Sequence, residues 1–250
     1  MTSPEVSGDA NTRVFRIQPV AAPVREQVIA NLREAIVDLR FRPGERLRER
    51  DLIEMTGASR TSVREAVNHL MNEGLVTAIP NRGIFVASPT AQEVAELYEV
   101  REFLEGAAAE SFARQATPDD VAKLRDSLAR FAAAGTSGKA ESGDLRRLKD
   151  EFYEILGSYN STVYGILSQL HARIAMLRSL TLGDSARIGN TVRELETLVD
   201  AIAAGNEKAA GKAARSHVAA AAAAARRLLS QRQELGNDAS DDNLAAASTT

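Results

Sequence analysis

The 250-residue sequence predicts a mainly α-helical protein: an N-terminal winged helix-turn-helix with a small β-hairpin wing, then an all-α antiparallel helical bundle. Three observations lead there. Apolar residues recur at helical spacing through most of the chain. The one strand-like stretch, residues 75–87, is short and bounded by turns. Six amphipathic stretches of bundle length follow it, with no convincing strand among them. The length suits one large or two modest domains, and a hydrophobic share of 44% fits a soluble globular protein.

Residues 1–22 carry no periodicity and read as a flexible tail. Val24, Val28, Leu32, Ala35, Ile36 and Leu39 then describe one helix face, with Pro23 suited to the helix start. Arg42-Pro43-Gly44-Glu45 is a turn, because proline fixes φ and glycine tolerates conformations closed to other residues. A short helix over residues 49–55 is ended by Gly57. Ser59 caps the next helix, its hydroxyl accepting from an orphan N–H of the first turn. There Val63, Ala66, Val67, Leu70 and Met71 form the apolar face, and Arg60, Arg64 and Asn68 the opposite one. Gly74 closes that helix. Residues 75–79 and 83–87 read as two strands joined around Pro80-Asn81-Arg82-Gly83. In such an arrangement, spanning residues 23–88, the third helix enters the DNA major groove and the hairpin tip reaches the backbone or minor groove.

The second domain, residues 89–232, begins with the stripe Val94, Leu97, Val100, Leu104, Ala108. Thr117-Pro118-Asp119-Asp120 is a helix start with Thr117 as cap. Residues 135–143 form a small-residue loop before the stripe Leu145, Leu148, Phe152, Ile155, Leu156. Further helices span about residues 161–182, 186–204 and 206–229. The polar segment 233–250 reads as a disordered tail.

Composition narrows the function. The chain has no cysteine, which removes disulfides, thiolate metal sites and a cysteine nucleophile. It has no apolar run able to span a bilayer and no secretory-type start, so no membrane partner and a cytoplasmic location are expected. No nucleophile–base arrangement or glycine-rich phosphate loop points to an enzyme. The net charge of −3 is divided unevenly: residues 13–88 carry 12 arginines against 9 acidic residues, a surplus of +3, leaving −6 elsewhere. A basic front on an acidic back places nucleic-acid contact in the first domain.

The front domain resembles the GntR family of bacterial transcription regulators. The matching pieces are Leu32-Arg33-Glu34-Ala35-Ile36, Arg42-Pro43-Gly44-Glu45-Arg46-Leu47, Ser59-Arg60-Thr61-Ser62-Val63-Arg64-Glu65-Ala66, Glu73-Gly74-Leu75-Val76 and Arg82-Gly83-Ile84-Phe85-Val86. The resemblance implies that Arg50 holds a phosphate or reaches a base, that Ser59, Arg60, Thr61, Ser62 and Arg64 form the main DNA surface, and that Arg82 and Gly83 lie at the wing tip. Arg60 and Arg64 suit bidentate contact with guanine, worth about 1–3 kcal/mol of discrimination each. Arg82 suits either a phosphate or a base, and Arg46 and Arg48 read as solvated.

The rear domain is similar to the FCD-type (FadR-like) effector domain, through Tyr98-Glu99-Val100-Arg101-Glu102-Phe103-Leu104-Glu105, the Phe152-Tyr153 helix leading to Asn160, and Asp200-Ala201-Ile202-Ala203-Ala204-Gly205-Asn206. Many such relatives hold a divalent metal through one aspartate and three histidines, and the metal grips a carboxylate effector. Here the aspartate position is Lys149 and two histidine positions are Tyr153 and Leu195; His217 alone matches. Asp150 points nearly opposite Phe152 on a helical wheel, so a slipped register does not restore the set. The expectation is that the family metal is lost and that no cofactor is bound.

Two readings of Lys149 and Tyr153, one turn apart, stay open. They bind an anionic effector directly, or Lys149 snorkels to solvent and His217 is simply packed. Arg101 and Glu105 read as a helix-surface ion pair or as cavity lining; Arg146, Asn160 and Arg173 are further pocket candidates. The effector-binding candidates are therefore Arg101, Lys149, Tyr153, Asn160, Arg173 and His217. The whole reads as a homodimeric, ligand-responsive regulator, a repressor in kind, binding a palindromic double-stranded DNA operator. The alternatives are a metal-dependent carboxylate sensor and a DNA-binding dimer whose pocket no longer functions.

Overall fold

The computed structural model describes residues 24–137, 140–181 and 185–247. The tail expected over residues 1–22 lies outside them, as does Pro23. The front domain is built from α1 (Val24–Val37), β1 (Arg46–Leu47), α2 (Glu49–Thr56), α3 (Arg60–Asn72), β2 (Val76–Ile79) and β3 (Gly83–Val86). α2 ends on Gly57 at φ +65°, a conformation that costs glycine nothing. Two residues later the Ser59 side chain accepts from the Ser62 N–H and caps α3. Val63, Ala66, Val67 and Leu70 are buried along α3, and each large side chain so buried contributes about 1.5–3 kcal/mol.

The expected hairpin is present as β2 and β3, and β1 adds a third antiparallel strand to it in the order β1-β3-β2. Arg46 pairs with Phe85 and Leu47 with Ile84, so the segment after the Pro-Gly turn is zipped to the wing. A two-residue strand has no periodicity of its own; its partner supplies the definition.

The second domain comprises α4 (Ala91–Gln115), α5 (Pro118–Ser137), α6 (Ser142–Gly157), α7 (Ser161–Thr181), α8 (Ser185–Ala203) and α9 (Glu207–Ala247). Thr90 and Glu93 close a reciprocal capping box on α4. Thr117 accepts from the Asp120 N–H at the start of α5, as its sequence predicts. α5 runs past Gly135 to Ser137, which shortens the expected loop. α9 continues to Ala247, beyond Gln233 where the sequence predicts a tail; extending a formed helix is far less costly than nucleating one.

One helix belongs to both domains. Ala172, Ala175 and Met176 of α7 are buried in the same cluster as Leu32, Ile36 and Leu70 of the front domain. On another face of α7, Ile174 and Leu177 pack with Val94 and Tyr98 of α4 and Val218 of α9. Among the described residues no helix is long and apolar enough to cross a membrane.

Candidate functional site

The first surface is the outer face of α3 with its flanks. Arg60, Thr61 and Arg64 are exposed there. No described residue forms an ion pair with Arg64, whereas the Arg60 guanidinium lies 2.6 Å from the Glu49 carboxylate. Glu49 thus engages the Nε of Arg60 and offsets part of its charge. Ser59 and Ser62 are occupied with each other as well as with the helix cap, their hydroxyls 3.0 Å apart. Arg50 is exposed beside Asp51 at 3.3 Å. Arg82 stands at the wing turn with its guanidinium 5.7 Å from the Phe85 ring centre. Gly83, at φ +108°, leaves room for the Arg46 side chain, whose guanidinium would lie 3.3 Å from an added Cβ. Arg46 is exposed, as expected, and its side chain runs alongside this glycine.

The second site is inside the bundle. Lys149 is only 4% exposed, so it does not snorkel. It follows from the stripe Leu145, Lys149, Phe152, Leu156: the helix carries this lysine on its buried face. Arg101 and Glu105 are buried too and joined at 2.8 Å, a cavity-side ion pair rather than a surface one. Arg101 also covers the Tyr98 ring at 4.6 Å. From α7, the Arg178 guanidinium lies 4.0 Å from the Tyr153 ring centre. From α9, His217 faces Tyr153 with ring centres 6.4 Å apart and its Nδ1 is 2.6 Å from a Glu194 oxygen. Arg187 clamps the same carboxylate at 2.7 and 3.0 Å.

The charges are lopsided. Burial, then the Arg178, Arg101 and Arg187 guanidiniums, push the Lys149 ammonium well below the usual lysine range. Burial lowers His217 to about 4, outweighing its bond to Glu194. Burial alone would raise Glu194, but His217 and Arg187 hold it at about 2. The Tyr153 hydroxyl, Arg101 Nη1 and His217 Nε2 are buried with no hydrogen-bond partner. Leaving such groups unmet costs about 1–3 kcal/mol each. A cavity of about 50 Å³ is lined by Glu105, Tyr153 and Arg178 and reaches His171 and Tyr164.

The residues do not fit the family metal. Leu195 is buried in an apolar cluster with Leu198 and Val199, the Nδ1 of His217 is engaged with Glu194, and Lys149 with the guanidiniums would repel a divalent cation. Among the described residues no group of three His, Cys, Asp or Glu could hold one.

Two expected pocket residues lie elsewhere. Asn160 caps α7, its Oδ1 accepting from the Val163 N–H at 3.1 Å, and it donates to the Ser111 hydroxyl at 3.3 Å. Arg173 lies against Gly74 in a cleft of about 380 Å³ between the domains, with Thr77 and Glu93 on other walls. It occupies a different face of α7 from Arg178, five residues on.

Sequence reasoning missed Arg178, Arg187 and Glu194 as site residues. Arg178 is one turn from Ile174, and Glu194 heads the stripe Leu198, Ile202; a charge on a buried face was the available signal. It also missed a connection to the front domain. Asp38, just past α1, accepts from Arg146 at 3.1 Å. Arg146 reaches Asp150 at 3.3 Å, and Asp150 accepts from Arg178 at 2.6 Å. Asp150, which the wheel placed away from Phe152, is thus buried in this polar chain. Burial would raise its pKa, but His171, Arg178 and Arg146 hold it at about 2.

Comparison with known proteins follows the same division. Residues 24–86 match the family of bacterial regulatory proteins described as gntR, and residues 96–220 match the FCD domain. The Nta operon transcriptional regulator of Aminobacter aminovorans is 35% identical over 144 residues, covering 57% of this chain and 67% of that one. The galactonate operon transcriptional repressor of Escherichia coli is 28% identical over 221 residues, covering 78% and 93%. The solved structure of a GntR transcriptional regulator from Rhodococcus sp. RHA1 superposes with a TM-score of 0.67 at 29% identity, covering 82% of this chain and 97% of that one.

Proposed function

Because the chain belongs to the GntR family of transcription regulators and carries its FCD domain, we propose that it is a dimeric repressor of the cytoplasm that releases a two-fold symmetric operator when a small organic anion enters the bundle. It is not an enzyme. The observation that carries the effector reading is the buried set Arg101, Lys149, Tyr153 and His217, with three polar atoms among them unmet. A carboxylate entering there meets Arg101 Nη1 and the Tyr153 hydroxyl and offsets the repulsion around Lys149. No metal is required. Repression is supported by relatives whose names include a repressor, among them the galactonate operon protein.

On DNA, Arg64 reads a base edge and Arg60 joins it after leaving Glu49. Arg50 and Arg82 hold phosphates, and Thr61, Ser62 and the backbone at Gly83 fix the approach. Dimerisation is supported by the outer face of α4, where Val100 and Phe103 stand 44% and 69% exposed, one helical turn apart. The effector's signal travels along α7 and the Asp150 chain to Asp38, turning one reading head relative to the other. Half-site spacing must match head spacing, so a small rotation suffices.

The test is selection of bound sequences from a random duplex pool, followed by titration of the complex with organic acids. A palindromic consensus that an acid releases is the expected result. Enrichment of no sequence would contradict the reader; a consensus that no acid releases would favour a dimer with a non-functional pocket.

A further inference from the structure

Buried lysines are found facing carboxylates, because an unpaired ammonium is costly to desolvate. Lys149 breaks that rule. No described residue gives it an ion pair or hydrogen bond, and Glu105, a carboxylate that acts on it electrostatically, is committed to Arg101 at 2.8 Å. The charged groups acting on it are chiefly Arg178, Arg101 and Arg187. A guanidinium does not release its proton, so in this cluster the lysine is the group that gives one up. A neutral amine is a nucleophile, and desolvation beside other cations is a recognised way to make one.

Its neighbourhood supplies the rest of that chemistry. Tyr153, one turn further along α6, carries a buried hydroxyl without a partner. Arg101 Nη1 is an unmet donor on the facing helix. A cavity of about 50 Å³, lined by Tyr153 and by Glu105, the ion-pair partner of Arg101, has room for a few water-sized groups, which is the size of a short-chain acid.

We propose that Lys149 captures its effector covalently, as a reversible imine with the carbonyl carbon of a small 2-oxo acid whose carboxylate rests on Arg101. The lone pair of Nζ forms the C–N bond as the carbonyl π pair moves onto oxygen. A proton passes from nitrogen to that oxygen, with the Tyr153 hydroxyl accepting one and donating one. A second proton transfer turns the new hydroxyl into water, which leaves as the remaining nitrogen pair closes the C=N bond. The amine's two protons and the carbonyl oxygen depart together as water, and no oxidant or reductant is consumed. Hydrolysis reverses the sequence and restores the free sensor. This inference rests on the anion site proposed above and adds to it a requirement for a carbonyl group.

The test incubates the full-length protein with pyruvate, 2-oxobutyrate or 2-oxoglutarate in the presence of sodium cyanoborohydride, which reduces an imine to a stable amine. Intact-mass measurement is expected to show a gain equal to the acid less one oxygen, on the peptide that contains Lys149. Lys149→Arg and Lys149→Met, checked for folding by thermal melting, should lose the gain. Tyr153→Phe should slow trapping on the order of a hundredfold. Lactate, which has no ketone carbon to attack, should raise the melting temperature without being trapped. If oxo acids shift the melting temperature but leave no adduct at Lys149, covalent capture is wrong and the anion site stands. If the adduct persists in Lys149→Met, the assignment to this lysine is overturned. If no acid gives either a shift or an adduct, the anion site falls and capture with it.

Discussion

The carboxylate of Asp38, at the end of the first helix, accepts a hydrogen bond at 3.1 Å from the guanidinium of Arg146 on α6. Both side chains are 11% exposed, and 108 residues of sequence separate them. Since Arg146 also reaches Asp150, and Asp150 holds Arg178 beside the bundle cavity, this contact joins the front domain to that cavity. Arg146→Met should leave organic-acid binding intact, as read by thermal shift, while weakening the acid's ability to release DNA. The loss of these charged hydrogen bonds should cost about 2 kcal/mol in denaturant unfolding. Unchanged coupling in this variant would leave α7 packing alone as the signal path.

The arginines of α3 are predicted to behave differently from one another. Arg64→Ala should cost about 1–3 kcal/mol on the selected operator and much less on random duplex. An equal loss on both, measured by fluorescence anisotropy, would reduce Arg64 to a phosphate contact. Glu49→Gln frees Arg60 from its 2.6 Å partner and should strengthen binding to both kinds of DNA. Ser59→Ala removes the cap of α3 and should destabilise the protein by about 1 kcal/mol.

His217 sets a pH dependence. Its folded pKa is lowered to about 4 from an unfolded value near about 6.5, so between those values the unfolded chain binds more protons than the folded one. Stability should therefore rise with pH from about 4 to about 6.5 and be lost in the reverse direction. The groups facing the imidazole are Glu194, Lys149, Glu105 and Tyr153; of these Glu194 titrates at about 2, below the window. His217→Gln should flatten the stability profile over that range in urea unfolding at fixed pH values. A profile unchanged by the substitution would assign the effect to other groups.

Phe103→Asp is predicted to shift sedimentation toward the monomer and to weaken operator binding, with the circular dichroism spectrum unchanged. Phe103 is 69% exposed and adds nothing to the fold's buried core. A dimer that survives this change would move the interface off α4.

The reading head was legible because its signals are local: a glycine in the left-handed region, a serine cap, one apolar stripe, a turn. β1 was not, since Arg46 and Leu47 become a strand only through Phe85 and Ile84, far along the chain. In the bundle, Lys149 and Tyr153 are singled out through the family's ligand positions, and the stripe Leu145, Leu148, Phe152 does not by itself say that Lys149 is buried. On α7 a stripe is no better guide. The helix packs on two sides, so its wheel does not say which face meets which domain, and Arg173 and Arg178 exchange roles. Asn160 stood directly before a helix and could have been read as its cap. The pairing of Asp38 with Arg146 had no local signature at all.

The central claim is that an anion acts through the bundle without a metal. Operator affinity, measured by anisotropy on the selected sequence, tests it most directly, with short carboxylic and 2-oxo acids titrated in the presence of a strong chelator. At least one acid should weaken DNA binding as well with chelator as without, and Arg101→Met should abolish that response while leaving acid-free DNA binding intact. Release that occurs only after a divalent metal is restored would contradict the account.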